Sequence, residues 1–351
     1  VDGDSGQMRV AVYDATNSTI ARRQMIRERC ASLGIALLFI ESVCTDQAVI
    51  LENVRQVKQD SPDYSGRGDA EAVVADFMAR IAHYARVYQP LDLDYADNLS
   101  ISSIQLIDLG RRYVIRNVDG YWESRIALLL MNMHIRPRRI LLCRHGESEF
   151  NLAGRIGGDS DLSPRGEAFA RALPEALDDL LGDTTEPMTV WTSSLRRTRQ
   201  TAFHLPSNRY HKCELKALDE IDAGVCEGLT YAEIAARYPL DFAARDRDKF
   251  RYRYRGGESY ADLVGRLEPV IMDLERGEGT TLVIGHQAVL RALLFYFIGD
   301  GPLEALPYVR VPLHTVIELV PTAYGCRWRD HAVGVECVDT HRPRPDAGQG
   351  E

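Results

Sequence analysis

The chain has 351 residues, of which 45% are hydrophobic, and it carries a formal net charge of -9. That length and apolar content allow two domains with separate cores, whereas the acidic balance argues against whole-surface attraction to nucleic acid or anionic membranes. No apolar run approaches the roughly 20 residues that a spanning helix needs, and the seven widely spaced cysteines indicate neither a zinc site nor a disulfide framework. We therefore expect a cytoplasmic protein.

Strand-like and helix-like segments alternate through residues 8–136, which predicts parallel α/β architecture. Apolar runs at 10–13 and 35–40 indicate strands, and those at 104–109 and 112–118 are expected to pair around Gly110. The segments predicted to be helical are 20–33, 49–57, 70–87 and 123–133. Because the chain begins at Val1 and its first strand already resembles one from the middle of a domain, we expect an N-terminal portion to be missing.

A second domain is predicted to begin at Pro137, which interrupts a continuing helix just before an apolar strand at 139–143. Buried strands are also expected at 189–191 and 281–284, and an amphipathic helix at 259–276. Polar clusters follow the strands, at the sheet edge where open α/β folds usually bind ligands. The chain end has too little apolar surface to fold. The predicted division is 1–136, 137–335 and a flexible tail, 336–351.

The polar cluster after the strand at 139–143 is Arg144-His145-Gly146-Glu147-Ser148. A neutral imidazole is a competent nucleophile toward phosphorus, and a neighbouring guanidinium can bind two phosphate oxygens at once. Gly146 lets the backbone approach a ligand closely. A lone histidine is more often a satisfied core residue, but the whole pentapeptide at a strand end favours phosphoryl chemistry.

Phosphoryl transfer also requires an acid that protonates the leaving group. The segment 218–224 offers Glu220, which is our choice, with Asp222 as the competing residue. A solvated acidic turn is the alternative interpretation of the same segment.

Every second residue from 245 to 255 is Arg or Lys, with Phe or Tyr between several of them. In an extended conformation these six side chains would share one face, although Asp246 and Asp248 weaken the positive field. Nucleic-acid binding is one interpretation. A second phosphate pocket, distant from the reacting phosphorus, is the more economical one, with some of the six cations simply solvated.

The pentapeptide at 144–148 resembles the signature of the histidine phosphatase superfamily, which includes phosphatases and phosphoglycerate mutases. The segments 191–198 and 283–287 resemble two further elements of that superfamily, in the expected order. The resemblance implies that His145 is transiently phosphorylated and that a cationic pocket of Arg144, Arg197 and His286 surrounds the phosphoryl group. It places Glu220 at the position of the proton donor and implies that the reaction needs no metal.

A narrower resemblance covers residues 8–345, which are similar to the bifunctional 6-phosphofructo-2-kinase/fructose-2,6-bisphosphatase family from inside its kinase domain onward. The segments 155–160, 220–227, 257–260 and 312–316 carry it. It implies an α/β fold class with two domains, a partial P-loop-type kinase domain followed by a three-layer α/β/α histidine phosphatase domain. The implied reaction, part of the regulation of glycolysis, is hydrolysis of fructose 2,6-bisphosphate to fructose 6-phosphate and phosphate without a cofactor.

Carried over position by position, the resemblance implies two groups of ligand-binding residues. Those beside the reacting phosphate and sugar are Arg144, Asn151, Gly157, Arg197 and Gln287. Those around the rest of the fructose bisphosphate are Tyr231, Arg245, Lys249, Tyr260 and Arg291. Arg245 and Lys249 also belong to the basic stretch that charge alone singles out.

The kinase-like half lacks the G-x-x-x-x-G-K-[ST] loop that a nucleoside triphosphate site of this kind needs, so we expect no kinase activity from this chain. ATP and Mg²⁺ are expected as cofactors of an intact parent only. Asp14 resembles the family's magnesium-linked carboxylate, and Lys58 resembles its lysine near ATP and fructose 6-phosphate. Arg80, Tyr84 and Arg116 are further candidates for the sugar-phosphate pocket, with a structural role as the alternative.

Two rival functions stay open. A mutase or broad-specificity histidine phosphatase would use the same residues around His145, although the kinase-like half argues against it. A non-catalytic sugar-phosphate sensor would need neither a nucleophile nor a proton donor. The expected partners are fructose 2,6-bisphosphate and fructose 6-phosphate, with no nucleic acid and no membrane. The sequence leaves a homodimer open.

Overall fold

The computed structural model describes residues 10–47, 50, 51, 54, 70–91, 101–108, 110–133, 138–182, 186–299, 301–322 and 325–344. The chain divides into two compact units, Val1–Met131 and Asn132–Glu351. Both units combine helices with strands, which confirms the predicted α/β fold class. Within the described ranges, no helix has the length and apolar character needed to cross a membrane.

The first unit contains a three-stranded sheet of order β1-β2-β3 in its described part. The strands are β1 (Leu38–Val43), β2 (Ser102–Ile107) and β3 (Arg112–Arg116). β1 and β2 run parallel, and β2 and β3 form the predicted antiparallel pair. The helices introduced here are α1 (Ile20–Ser32), α2 (Ala70–Ala85) and α3 (Tyr121–Asn132). The helix predicted at 49–57 falls largely outside the described residues.

Two strand predictions in this unit are wrong. The described residues 10–14 form no strand, and Val12 is 90% exposed. The strand predicted at 35–40 begins at Leu38 because α1 ends in a Schellman cap. Gly34 has a φ of +66°, and Ile35 donates its backbone N–H to the carbonyl oxygen of Cys30 at 3.0 Å. Ile35 therefore closes the helix and cannot start the strand.

The second unit is built on a six-stranded sheet of order β6-β5-β7-β4-β8-β9. The strands are β4 (Ile140–Arg144), β5 (Met188–Thr192), β6 (Tyr210–Glu214), β7 (Thr281–Gly285), β8 (Thr315–Thr322) and β9 (Gly325–Ala332). β4 to β7 pair in parallel, whereas β8 and β9 are antiparallel additions. The carboxyl ends of four strands therefore share one edge of the sheet.

Helices cover both faces of this sheet. The helices of this unit are α4 (Glu149–Leu152), α5 (Pro164–Leu181), α6 (Arg196–Thr201), α7 (Tyr231–Arg237), α8 (Pro239–Arg247), α9 (Tyr260–Arg276) and α10 (Gln287–Ile298). Side chains alternate along β4, so Leu142 packs with apolar residues of α9 and α10, and Leu141 packs with those of α5. This is the expected three-layer α/β/α arrangement. The predicted amphipathic helix, α9, follows a capping box between Ser259 and Asp262.

Candidate active site

Three neighbouring parallel strands deliver polar side chains to one edge of the second sheet. β4 ends in Arg144 and leads to His145, β7 leads to His286, and β5 leads through Ser193 to Arg197 on α6. Each of these five residues is at most 4% exposed. The sheet therefore brings widely separated sequence motifs into one buried cluster.

The ring of His145 is held in one tautomer. Its Nδ1 lies 2.8 Å from the carbonyl oxygen of Gly146, and because that oxygen can only accept, Nδ1 carries the proton. The backbone N–H of His145 donates to the carbonyl oxygen of Gly285 at 3.0 Å, which ties the loop to β7. The lone pair of Nε2 is then available for nucleophilic attack.

Burial, reinforced by the guanidinium groups of Arg197 and Arg144, lowers the pKa of His145 well below its ordinary value. The ring is therefore neutral at physiological pH, as nucleophilic attack requires. Burial also lowers the pKa of Arg144, to about 10, which leaves that guanidinium charged at neutral pH. The cluster thus combines an uncharged nucleophile with a permanent cation.

Two arginines are fixed beside the nucleophile by neutral oxygen atoms. Arg144 Nη1 donates to the carbonyl oxygen of Val311 at 3.0 Å and to Thr340 Oγ1 at 2.8 Å. Its buried Nε has no hydrogen-bond partner among the described residues. Arg197 Nη1 donates to the carbonyl oxygen of Gly158 at 2.7 Å. Guanidinium groups held in this way can bind phosphoryl oxygens without first reorganising.

His286 is neutral in this hydrogen-bond network, and its part in a cationic pocket around a bound phosphoryl group stays a prediction. Its Nδ1 accepts a hydrogen bond from Arg197 Nε at 3.2 Å, and its Nε2 lies 2.7 Å from Ser193 Oγ. Burial and the charge of Arg197 lower the pKa of His286 well below its ordinary value. The neutral ring fixes the guanidinium group of Arg197.

The two candidate acids differ in their surroundings. Glu220 is partly buried at the amino terminus of α10, where its Oε1 accepts the backbone N–H of Ala288 at 3.1 Å. In its ionised form Glu220 acts on both Arg144 and Arg197 and opposes the lowering of their pKa values by burial. Asp222 is exposed and accepts a backbone N–H of its own turn at 2.7 Å. The geometry therefore favours Glu220.

Asn151 and Gly157 belong to the loop that follows the nucleophile. Asn151 completes the capping box at the start of α4. Gly157 has a φ of +64°, and a Cβ at this position would overlap the carboxylate of Glu227. That carboxylate accepts the backbone N–H of Gly158, whose carbonyl oxygen binds Arg197. The loop therefore supports one of the two arginines.

The residues expected around the rest of the ligand form a second cluster, which we call the anchor cluster: Tyr231, Arg245, Lys249, Tyr260 and Arg291. Arg245 Nη2 donates to the hydroxyl of Tyr231 at 3.2 Å, and Arg291 Nη1 donates to the hydroxyl of Tyr260 at 3.1 Å. Burial, with the charges of Arg291 and Arg245, lowers the pKa of Lys249 to about 6. Two buried arginines, together with a lysine that gains a proton when an anion binds, favour an anionic ligand.

The basic stretch 245–255 does not form the extended face that its spacing predicts. α8 continues to Arg247, and of the six cations only Arg245 and Lys249 are buried. The exposed members at 251, 253 and 255 pair with surface carboxylates. The stretch therefore gives two cations to the anchor cluster and offers no continuous surface for nucleic acid.

Residues 336–344, which we call the C-terminal segment, differ from the flexible tail predicted from composition. The hydroxyl of Thr340 accepts a hydrogen bond from Arg144, and the backbone carbonyl oxygen of Thr340 lies 3.5 Å from Gln287 Nε2. The guanidinium carbon of Arg342 lies 4.5 Å from the centre of the Tyr231 ring. Because polar contacts hold this segment in place, its low apolar content did not predict whether it is ordered.

Sequence reasoning missed the residue that joins the nucleophile loop to the C-terminal segment. Glu147 is fully buried and accepts hydrogen bonds from Ser163 Oγ at 2.7 Å, Arg165 Nη2 at 2.7 Å and the backbone N–H of Val338 at 2.8 Å. Its own backbone N–H donates to His314 Nε2 at 2.9 Å. One signal in the sequence could have identified it: the pentapeptide contains a carboxylate, Glu147, that takes no part in nucleophilic attack.

The kinase-site candidates of the first unit lie on separate elements. Asp14 is exposed in a segment without regular structure, Arg80 and Tyr84 lie on α2, and Arg116 ends β3. Lys58 lies outside the described residues. The roles of these five residues stay predictions.

Comparison with known proteins identifies both units. Residues 3–137 match the family model described as 6-phosphofructo-2-kinase, and residues 140–333 match the histidine phosphatase superfamily, branch 1. A Gallus gallus protein named 6-phosphofructo-2-kinase/fructose-2,6-bisphosphatase is 52% identical over 347 residues, which cover 98% of this chain and 71% of that protein. A Mus musculus protein named 6-phosphofructo-2-kinase/fructose-2,6-bisphosphatase 1 is 51% identical over 339 residues, with coverages of 96% and 69%.

Among solved structures, the alpha-ribazole phosphatase from Shigella flexneri is 26% identical with a TM-score of 0.50. The match covers 57% of this chain and 100% of that one, and it supports the histidine phosphatase fold. Together with the near-complete coverage by relatives that are about half identical, these findings show that the chain belongs to the 6-phosphofructo-2-kinase/fructose-2,6-bisphosphatase family.

Proposed function

We propose that the second unit hydrolyses fructose 2,6-bisphosphate to fructose 6-phosphate and inorganic phosphate through a phosphohistidine at His145. The observation that carries the proposal is the presence of two cationic places in one unit. One holds a neutral His145 between Arg144 and Arg197, and the other is the anchor cluster. A substrate with two phosphates uses both. The names of the relatives, which include fructose-2,6-bisphosphatase, support this choice.

Two steps account for the reaction. Nε2 of His145 attacks the phosphorus of the 2-phosphate, the bond from phosphorus to the C2 oxygen breaks, and Glu220, which enters this step protonated, donates its proton to that oxygen. Arg144 and Arg197 stabilise the charge on the equatorial oxygens. The Glu220 carboxylate then takes a proton from water, whose oxygen attacks the phosphorus and releases phosphate from His145.

A broad-specificity histidine phosphatase needs only the cluster around His145. The anchor cluster would have no function on a small monophosphate, which favours the bisphosphate as substrate. The domain boundary at residue 137 stays a proposal, which the matched ranges 3–137 and 140–333 support, whereas the compact units divide between Met131 and Asn132. The cytoplasmic location and the homodimer stay predictions.

For the first unit of this chain we propose no reaction. The sequence has no phosphate-binding G-x-x-x-x-G-K-[ST] loop, and Asp14, the expected magnesium-linked residue, is exposed in an irregular segment. In the described part of the first unit, the candidate residues therefore assemble no site that fits ATP and Mg²⁺. The relatives' names include 6-phosphofructo-2-kinase, and we assign that activity only to a chain that carries the loop.

A trapping experiment tests the proposed intermediate. The purified chain is mixed with fructose 2,6-bisphosphate labelled in the 2-phosphate and then denatured. We expect protein-bound label that survives base and is lost in acid, as a phosphorus–nitrogen bond is, and no label in His145→Ala. His211→Ala, which removes an exposed histidine of β6, should label normally. Acid-stable label, or labelling of His145→Ala, would exclude this intermediate.

A further inference from the structure

Arg342 of the C-terminal segment places a further positive charge against the anchor cluster. Its guanidinium carbon lies 4.5 Å from the centre of the Tyr231 ring, and that of Arg245 lies 4.9 Å from the same ring. Asp246 joins the two arginines, because Oδ1 accepts from Arg245 at 2.7 Å and Oδ2 accepts from Arg342 at 3.1 Å. Tyr231 and Asp246 therefore hold two guanidinium groups side by side.

The charges at this place are not balanced by the protein groups in contact with them. Arg245, Arg291 and Arg342 all act electrostatically on Lys249, and Asp246 is the carboxylate that pairs with two of these three arginines. Nη1 of Arg342 is buried and has no hydrogen-bond partner among the described residues. A buried donor in a cationic cluster is satisfied best by an anionic oxygen.

We propose that Arg342 is a substrate-binding residue that donates to the 6-phosphate of fructose 2,6-bisphosphate alongside the anchor cluster. This inference rests on the proposed function. The same segment binds Arg144 through Thr340, two residues earlier. The C-terminal segment therefore connects the cluster that reacts with one phosphate to the cluster that recognises the other.

Steady-state kinetics of Arg342→Ala test this role. Loss of a charge-assisted hydrogen bond to a phosphate should raise the KM for fructose 2,6-bisphosphate by about tenfold or more, with little change in kcat. Arg342→Lys should restore part of the affinity, since it keeps the charge but not the planar donor pair. Hydrolysis of 4-nitrophenyl phosphate, which has no second phosphate, should be unchanged. Arg310→Ala is the control, because exposed Arg310 pairs with Asp339 of the same segment.

An unchanged KM for Arg342→Ala would overturn the proposal. A lower KM with a higher kcat would also overturn it, since that result means the segment blocks the pocket. Binding of fructose 6-phosphate to wild type and Arg342→Ala, measured by calorimetry, separates this inference from the proposed function. If wild type releases no phosphate from the bisphosphate, the proposed function fails. Equal fructose 6-phosphate affinities of wild type and Arg342→Ala would reject the role of Arg342, whatever the outcome for the proposed function.

Discussion

His145 and His286 are both buried beside Arg197, and in both rings burial lowers the pKa. Their hydrogen bonds give them different tasks. His145 binds a carbonyl oxygen through Nδ1 and keeps Nε2 available, whereas both ring nitrogens of His286 are engaged by Arg197 and Ser193. One neutral histidine can therefore attack phosphorus while the other positions an arginine.

Glu220→Gln should slow phosphoenzyme formation by about 10²- to 10⁴-fold, because the leaving C2 oxygen then receives no proton. Glutamine keeps an oxygen that can accept the Ala288 N–H, so the loop should stay in place. Asp222→Asn is the matched control and should react almost as fast as wild type. Single-turnover quenching measures all three proteins. A slower Asp222→Asn than Glu220→Gln would transfer the role of proton donor to Asp222.

The pKa of Lys249, about 6 in the free protein, predicts a pH effect on binding. A phosphate favours the charged ammonium, so above that pH the bisphosphate binds with uptake of a proton, and this contribution weakens as pH rises. Lys249→Gln has no ammonium group and therefore lacks this pH-dependent contribution to binding. The ratio of the KM of Lys249→Gln to that of wild type should therefore fall between about pH 6 and 8. A constant ratio across this range would show that Lys249 does not titrate there.

Residue types in short motifs singled out His145, Arg144 and Glu220, and the family resemblance added Arg197. The motifs could not predict the neutral state of His286, because that state depends on burial by distant segments. They also gave no sign of Arg342, which meets Tyr231 only through tertiary structure.

At the level of loops and helices, the turn at Gly157 and Gly158 connects the sequence to the position of Arg197. Gly157 and Gly154 have nearly equal φ values, +64° and +63°. A Cβ at Gly157 would overlap Glu227, whereas a Cβ at Gly154 would meet no atom within 4 Å. An alanine at either glycine would therefore strain the backbone, but only an alanine at Gly157 would also displace the active-site loop.

Gly157→Ala and Gly154→Ala should each lower the free energy of unfolding by roughly 1–2 kcal/mol, the cost of a left-handed alanine. Only Gly157→Ala should also lower kcat/KM, because it displaces the carboxylate that holds Gly158 and, through it, Arg197. Denaturant unfolding and steady-state kinetics measure the two effects. Equal kcat/KM values for the two variants would show that this loop does not position Arg197.

Helix α9 could be predicted from its apolar periodicity, and the pairing of β2 with β3 from two short runs around Gly110. The start of β1 could not be predicted, because the backbone N–H of Ile35 caps the end of α1 instead of joining the strand. The C-terminal segment was also beyond prediction from composition, since backbone and side-chain hydrogen bonds hold it in place.

For the whole molecule, the alternation of strands and helices was sufficient to predict an α/β fold, and the chain length with the break at Pro137 was sufficient to predict two units. The order of the second sheet was not readable, because β7 pairs with β4 and β5 from distant parts of the sequence. That pairing places His286 beside Arg197 and assembles the site. Both the cluster around His145 and the anchor cluster lie in the second unit, so every residue named for the proposed reaction belongs to that unit.

Release of phosphate from fructose 2,6-bisphosphate by the purified chain in metal-free buffer is the decisive measurement, with 3-phosphoglycerate and 4-nitrophenyl phosphate run alongside. We expect selective release from the bisphosphate, fructose 6-phosphate as the sugar product, and no release by His145→Ala. Equal rates on all three compounds would indicate a broad-specificity phosphatase. No release from any of them would contradict the assignment of His145 as a nucleophile.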